Sequence, residues 1–495
     1  MSEGRDRWQR WMGTLIGSLM AMVLVVSVVS IVLVWPDVRC GSPLDGIVLK
    51  EGECVGVSDG SFVFDEAHRE VYEDIADENE WAAAEAEAEG LPLVRIALMT
   101  TLTTTQDSAM SADRIRSALD GALVALHRAN RTRELGDPHP LVQLVLANEG
   151  ARQTHWEVPV SELEDMSDDE VPLVAVMGQG VSSDRTMDAA YRLSKHEIPM
   201  VTGVTTADGI DNGIIPGLLR AAPSNTDFAM ALRQYVDGRE DIASAVLVHD
   251  NAETDLYART LRSAYEEHLS EYLTSSHQPF PGRSIEEGGV EVFDTITQNV
   301  CESEAQAVLF AGREPDLKVF IESLSLRACQ SDPLTVLFGV TGTDLQADEE
   351  VLGWIEEGNL SVLYAAGADP GWGDGAETPE GFADFQTHFE NLVGGGREAL
   401  ANGYAVTYHD ALMTAVSAVR ITNPWSEEPP TAGDVRDHLL LLNSEQVVRG
   451  ASGTLSFNEN RDGNPGGKYV PVVPLPYPED PADLPQTGPY ITPVQ

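Results

Sequence analysis

From residue 93 onward, short apolar runs alternate with longer stretches in which apolar positions recur every three or four residues. The short runs have the length of buried strands and the longer stretches the period of amphipathic helices. Strands are expected at residues 94–99, 141–147, 173–177, 198–202, 245–249, 307–310, 335–339 and 361–365. Helices are expected at 112–130, 184–196, 226–236, 255–273, 316–326, 382–392 and 408–421. This order implies right-handed βαβ crossovers and doubly wound parallel sheets, an α/β fold class, and so many strands fit two lobes better than one sheet. Residues 454–458 and 468–473 read as an antiparallel hairpin, and the Pro-rich segment 474–495 as a disordered tail.

The pattern ahead of residue 93 is different. Residues 12–35 carry no charge and are long enough to cross a bilayer as one helix. Arg5, Arg7 and Arg10 precede this run, and Trp8, Trp11 and Trp35 lie near its ends. The positive-inside rule therefore places residues 1–11 in the cytoplasm and everything after the run outside, in a single-pass protein of the cell membrane. A cleaved signal peptide and a lipoprotein anchor at Cys40 are the alternatives, weakened by the length of the run and by the Asp37-Val38-Arg39 that stands where a lipobox needs small apolar residues. Residues 36–90 read as a disulfide knot followed by a helical stalk or lead-in, because residues 65–90 are rich in Ala and Glu.

Composition narrows the partners. With 31 Lys and Arg against 80 Asp and Glu, the formal net charge of −49 excludes nucleic acid as a ligand. The 42% hydrophobic content over 495 residues is ample for two or three packed domains. Four cysteines outside the membrane allow two disulfides in three connectivities, of which the local pairs Cys40 with Cys54 and Cys301 with Cys329 are preferred.

Candidate chemistry concentrates at residues 171–210, where a buried strand ends in a glycine loop and Ser182-Ser183-Asp184 opens a helix. A second strand and a Thr-rich loop, with Val204, Thr205 and Thr206, follow. Unpaired backbone N–H groups, a helix N-terminus and hydroxyl donors gathered at one place suit a carboxylate or another anion. Taken alone, Ser182 and Ser183 serve equally well as ordinary helix caps.

Several segments in order, IALMTTLTT with GALVALHRAN, VAVMGQGVSS with IPMVTGVTTAD, LLRAAPSNTDFAMALRQYV, AVLVHDN, YHDALMTAVSAVRI and GASGTLSFNENRDG, resemble the type I periplasmic binding proteins, in particular the branched-chain amino acid (leucine/isoleucine/valine) substrate-binding proteins of ABC importers. The resemblance implies two α/β lobes that close on a ligand, residues 91–223 with 366–440 forming one and 224–365 with 441–473 the other. It places the carboxylate-binding serine on Ser182, with Ser183 beside it, and the next loop's contacts on Val204 and Thr206, with Thr205 between. The acid that holds a ligand's ammonium in that family falls on Thr341. Asp250, Glu314 and Asp344 are the substitutes to consider, and Tyr257 reads as core.

Other motifs carry little. Asn458, Asn460 and Asp462 begin like a calcium loop, but Tyr469 stands where a bidentate Glu is needed. His409-Asp410 opens an amphipathic helix without a nucleophile motif, so neither an enzyme, a metal nor a cofactor is expected. The expectation is a membrane-anchored extracytoplasmic solute-binding protein for an amino acid or related short carboxylate, working with an ABC permease. The alternative is a sensor or adaptor that uses the same fold without transport.

Overall fold

The computed structural model describes residues 40–41, 46–105, 108–136, 139–282, 289–422, 428–480, 483–485 and 487–494. The expected membrane span at 12–35 lies outside the described residues. Among those described, no helix is long and apolar enough to cross a membrane.

The first lobe is built from β1 (Val48–Lys50), β2 (Glu53–Ser58), α1 (Arg69–Glu89), β3 (Leu93–Thr100), α2 (Ala112–Arg131), β4 (Leu141–Asn148), α3 (Glu157–Met166), β5 (Leu173–Gly178), α4 (Asp184–Lys195), β6 (Met200–Thr202) and β7 (Leu218–Arg220). Its seven strands lie in the order β1-β2-β4-β3-β5-β6-β7. The strands from β4 to β7 are parallel, and the β1–β2 hairpin joins the β4 edge antiparallel. β5, in the middle of the sheet, is apolar and buried along its whole length because helices cover both faces.

The second lobe continues with α5 (Asn225–Asp237), β8 (Ala245–Asp250), α6 (Leu256–His268), β9 (Gln278–Phe280), α7 (Asp294–Glu302), β10 (Ala307–Ala311), α8 (Glu314–Ser325), β11 (Leu334–Gly339), α9 (Glu349–Glu357) and β12 (Leu360–Ala365). The chain then returns to the first lobe through α10 (Phe382–Leu392), α11 (Gly396–Leu400), α12 (Tyr404–Thr422) and α13 (Ala432–His438). It ends with β13 (Val448–Gly450), β14 (Gly453–Ser456), β15 (Gly466–Val470), β16 (Val472–Leu475) and β17 (Tyr490–Ile491). The second sheet has the order β16-β12-β11-β10-β8-β9, parallel except for β16. β14 and β15 form the expected antiparallel hairpin, flanked by β13 and β17.

All eight expected strands are present, and Cys40–Cys54 and Cys301–Cys329 are the disulfides formed. Three expectations change. Residues 46–90 are no stalk, because β2 pairs with β4 and α1 buries Val71, Tyr72, Ile75, Ala82 and Ala86 on the first lobe. Asn79 of α1 donates to Leu144 O and accepts from Leu144 N, both at 2.8 Å, while Asn130 does the same for Val142 at 2.9 and 3.0 Å. The two amides thereby satisfy the backbone of β4 where β2 stops short, a need that any exposed strand edge carries. Residues 441–457, expected in the second lobe, add Val448, Leu455 and Phe457 to the core of the first. The Pro-rich end is anchored too: β16 pairs with β12, and buried Thr492 accepts from Lys468 N and donates to Pro465 O.

Two features hold α12 to its neighbours. At Gly121, α2 passes so close to α12 that a Cβ would lie 2.1 Å from Ala405 O. Nearby, fully buried His409 bridges Arg128 and Asp410, each at 2.8 Å, and Asp410 accepts from Ala451 N, Ser452 N and the Ser452 hydroxyl. Lys468 of β15 donates to Ser452 Oγ, with burial pushing its pKa down to about 8. His409 and Asp410 thus serve this internal network and do not face the cleft between the lobes.

Candidate functional site

Open α/β sheets bind ligands at the C-terminal ends of their strands. Here the C-terminal ends of the two sheets face each other across a cleft of about 760 Å³. Ser182, Ser183, Val204 and Thr206 line it from the first lobe, and Glu314, Thr341, Asp344 and Tyr257 from the second.

The first-lobe half begins at the end of β5, where Gly178, Gln179 and Gly180 all take positive φ, at 92°, 58° and 61°. A Cβ at Gly180 would lie 2.4 Å from Gln153 Nε2, and together with the positive φ this close approach favours glycine here. Ser183 caps α4, accepting from Thr186 N at 3.1 Å and donating to Gln153 Oε1 at 2.9 Å. Ser182 does something the sequence did not reveal: its Oγ accepts from both Thr206 N and Ala207 N at 3.0 Å, joining the two loops. With its oxygen so occupied, the hydroxyl has only its proton to offer, and a carboxylate is a fitting acceptor. Thr205 is fully buried, and its hydroxyl donates to Gly180 O at 3.2 Å, so its side chain braces the loop and does not line the cleft.

Asp250 also falls outside the cleft. It accepts from Ala252 N at 2.8 Å and packs so close to Gly282 that a Cβ there would lie 2.0 Å from Oδ2. Burial pushes its pKa up. It caps the turn after β8. Tyr257, expected to be core, belongs to the second-lobe core and also lines the cleft, its hydroxyl donating to Gly339 O.

Arginines decide the electrostatics. Arg114 of α2 reaches across to Glu314 at 2.6 Å and Asp344 at 3.0 Å, with Tyr404 5.5 Å beneath its guanidinium. Burial works against this charge, but Glu314, Tyr404 and Asp344 outweigh it and hold the pKa above its ordinary value. Arg313, which precedes α8, pairs with Asp255 at 2.7 and 3.0 Å, stacks 4.8 Å over Tyr257 and donates to Ser182 O at 2.8 Å. Its pKa is also raised, burial opposing and Asp255 prevailing. Arg152 and Arg185 complete the rim, Arg185 donating to Arg152 O at 2.7 Å. Four of the chain's 31 cationic side chains thus meet at one cleft of a protein with 80 acids, two of them paired with Glu314, Asp344 and Asp255. Sequence reading missed all four, although Arg313 was open to it. It stands just beyond the end of β10, the strand-end location from which Ser182 was inferred on the other lobe.

Comparison with solved structures finds the same two-lobed architecture. The chain superposes on an ABC transporter substrate-binding protein of Desulfitobacterium hafniense in complex with Leu, with a TM-score of 0.57, 15% identity and coverage of 77% of this chain and 97% of the other. A branched-chain amino acid transporter substrate-binding protein of Streptococcus pneumoniae in complex with isoleucine gives 0.57, 13%, 81% and 99%. A solute-binding protein of R. palustris in complex with 4-hydroxybenzoate gives 0.57, 12%, 81% and 96%. No protein-family model matches the chain, and no curated protein matches it in sequence. The fold is that of the type I periplasmic binding proteins.

Proposed function

We propose that this chain is a solute-binding protein that captures a small carboxylate-bearing ligand between its two lobes and presents it to an ABC importer. The observation that carries the reading is the arginine-lined cleft at the facing C-terminal ends of the two sheets, with the Ser182 hydroxyl and the N-terminus of α4 on one wall. In this reading the carboxylate sits against Ser182, the dipole of α4 and Thr206, while the rim arginines raise its local concentration. Arg114, reaching from the first lobe to the second, and Arg313, reaching from the second to the first, hold the closed form around it. The proteins of this fold described above carry leucine, isoleucine and 4-hydroxybenzoate, all of them small carboxylates.

The uncharged run at 12–35 supports an extracytoplasmic location in which one N-terminal helix tethers the chain to the membrane. Protease accessibility in intact cells tests this, since the reading requires the described residues to be cleaved from outside. For ligand capture the test is a thermal-shift screen of the full chain against amino acids, amides and short carboxylates. Ligand at a hundred times its Kd stabilises the folded state by about 2.7 kcal/mol. At least one carboxylate is expected to raise the melting temperature, and a panel in which none does so refutes ligand capture. Co-purification with a permease supports transport, and a ligand-responsive complex without one supports the sensor reading.

A further inference from the structure

An α-amino acid brings an ammonium as well as a carboxylate, and a cleft must meet that cation with an acidic oxygen. Glu314 and Asp344 each already give one carboxylate oxygen to Arg114. Glu314 Oε2 accepts from Arg114 at 2.6 Å and Thr343 at 2.7 Å. Asp344 Oδ2 meets Arg114 at 3.0 Å and accepts from Ser111 at 2.9 Å. Both Asp255 oxygens accept from Arg313, and Oδ1 also takes Ala258 N at 3.0 Å. Asp250 is turned away, and Thr341 brings no charge. An ammonium placed beside Glu314 or Asp344 would stand next to the Arg114 guanidinium, a like charge that competes for the same two acids. Met110, Val204, Val340, Tyr257 and Tyr404 add apolar and aromatic surface to a wall that also carries Thr105, Ser108 and Gln153.

We infer that the cleft selects a small carboxylate with an apolar or aromatic body and no ammonium group. This rests on the solute-binding reading above and names the ligand class within it. Arg114 is the specificity-determining residue, because its guanidinium stands where an amine would have to approach Glu314 and Asp344.

The test is calorimetric titration of the full chain with matched pairs: leucine against 4-methylpentanoate, and phenylalanine against 3-phenylpropanoate. The ammonium-free member of a pair is expected to bind at least tenfold more tightly. Equal or tighter binding of the amino acids overturns the inference and leaves solute binding standing, whereas no binding by either member of both pairs overturns the two together. Arg114→Gln releases Glu314 and Asp344, and Thr341→Asp adds an acid without disturbing the interlobe pairs. Either change is expected to shift the preference at least fivefold toward the amino acid. A preference unmoved in both folded variants overturns the role given to the cleft's charges.

Discussion

Replacing Ser182 with alanine probes stability and binding together, because one oxygen serves both. Its Oγ is the acceptor for Thr206 N and Ala207 N at 3.0 Å, and the residue is 2% exposed. Alanine leaves two buried donors unpaired, each costing about 1–3 kcal/mol. The cleft admits water to one side of this loop, so we expect a loss at the lower end, roughly 2–3 kcal/mol in total. The variant also loses the hydroxyl proton that would meet a carboxylate, a charge-assisted bond of roughly 1.5–3 kcal/mol, or about tenfold to a hundredfold in Kd. Urea denaturation without ligand reads the first loss, and calorimetric titration with 4-methylpentanoate reads the second. Ser183→Ala is the control. Its hydroxyl caps α4 and bonds Gln153, so it should cost about 1 kcal/mol of stability with affinity changed less than about threefold. A Ser182→Ala chain with stability within about 0.5 kcal/mol of the parent and an unchanged Kd would refute the reasoning.

The interlobe pair of Arg114 and Glu314 has side chains only 13% and 17% exposed, so a double-mutant cycle with Arg114→Gln and Glu314→Gln should give a coupling of roughly 2 kcal/mol by urea denaturation. A coupling near zero would mean that the lobes are not held there. Glu149 is fully buried and its pKa is pushed up to about 7 from 4.5, so the folded state holds a proton that the unfolded state has lost between those values. Stability should therefore fall as pH rises from about 4.5 to 7, by up to about 3 kcal/mol, and Glu149→Gln should flatten that slope. An identical pH profile of the two chains by thermal denaturation contradicts this assignment. Gly121→Ala places a Cβ 2.1 Å from Ala405 O and must push α2 from α12, at a cost of at least about 2 kcal/mol. An unchanged denaturation midpoint would contradict the close helix crossing.

The parallel strands were legible because strands buried on both faces are continuous apolar runs, and the loop at Ser182 because strand, glycines and hydroxyls lie within a few residues of one another. What was hidden depends on distance along the chain. Arg114 and Glu314 are 200 positions apart, and nothing local in either says that the lobes bring them together. The Ala- and Glu-rich helix α1 was misread for a different reason. Its acids drew attention to the solvated face, while Val71, Ile75, Asn79, Ala82 and Ala86 already recur at helical spacing on the other. Asp250 was misassigned because a strand-end acid caps a turn as readily as it holds a ligand, and only its bond to Ala252 N separates the two. The tail was misread because two strand pairs and one buried threonine anchor it, too few residues for any periodicity to show.

Capture of a carboxylate between the lobes is tested most directly by titrating 4-methylpentanoate, 3-phenylpropanoate and 4-hydroxybenzoate into the full chain and into Val204→Trp, which fills the cleft from the first-lobe wall. The account predicts saturable one-to-one binding of at least one of these to the parent chain and its loss in the folded variant. Binding that survives Val204→Trp unchanged, or no binding to the parent at all, would contradict it.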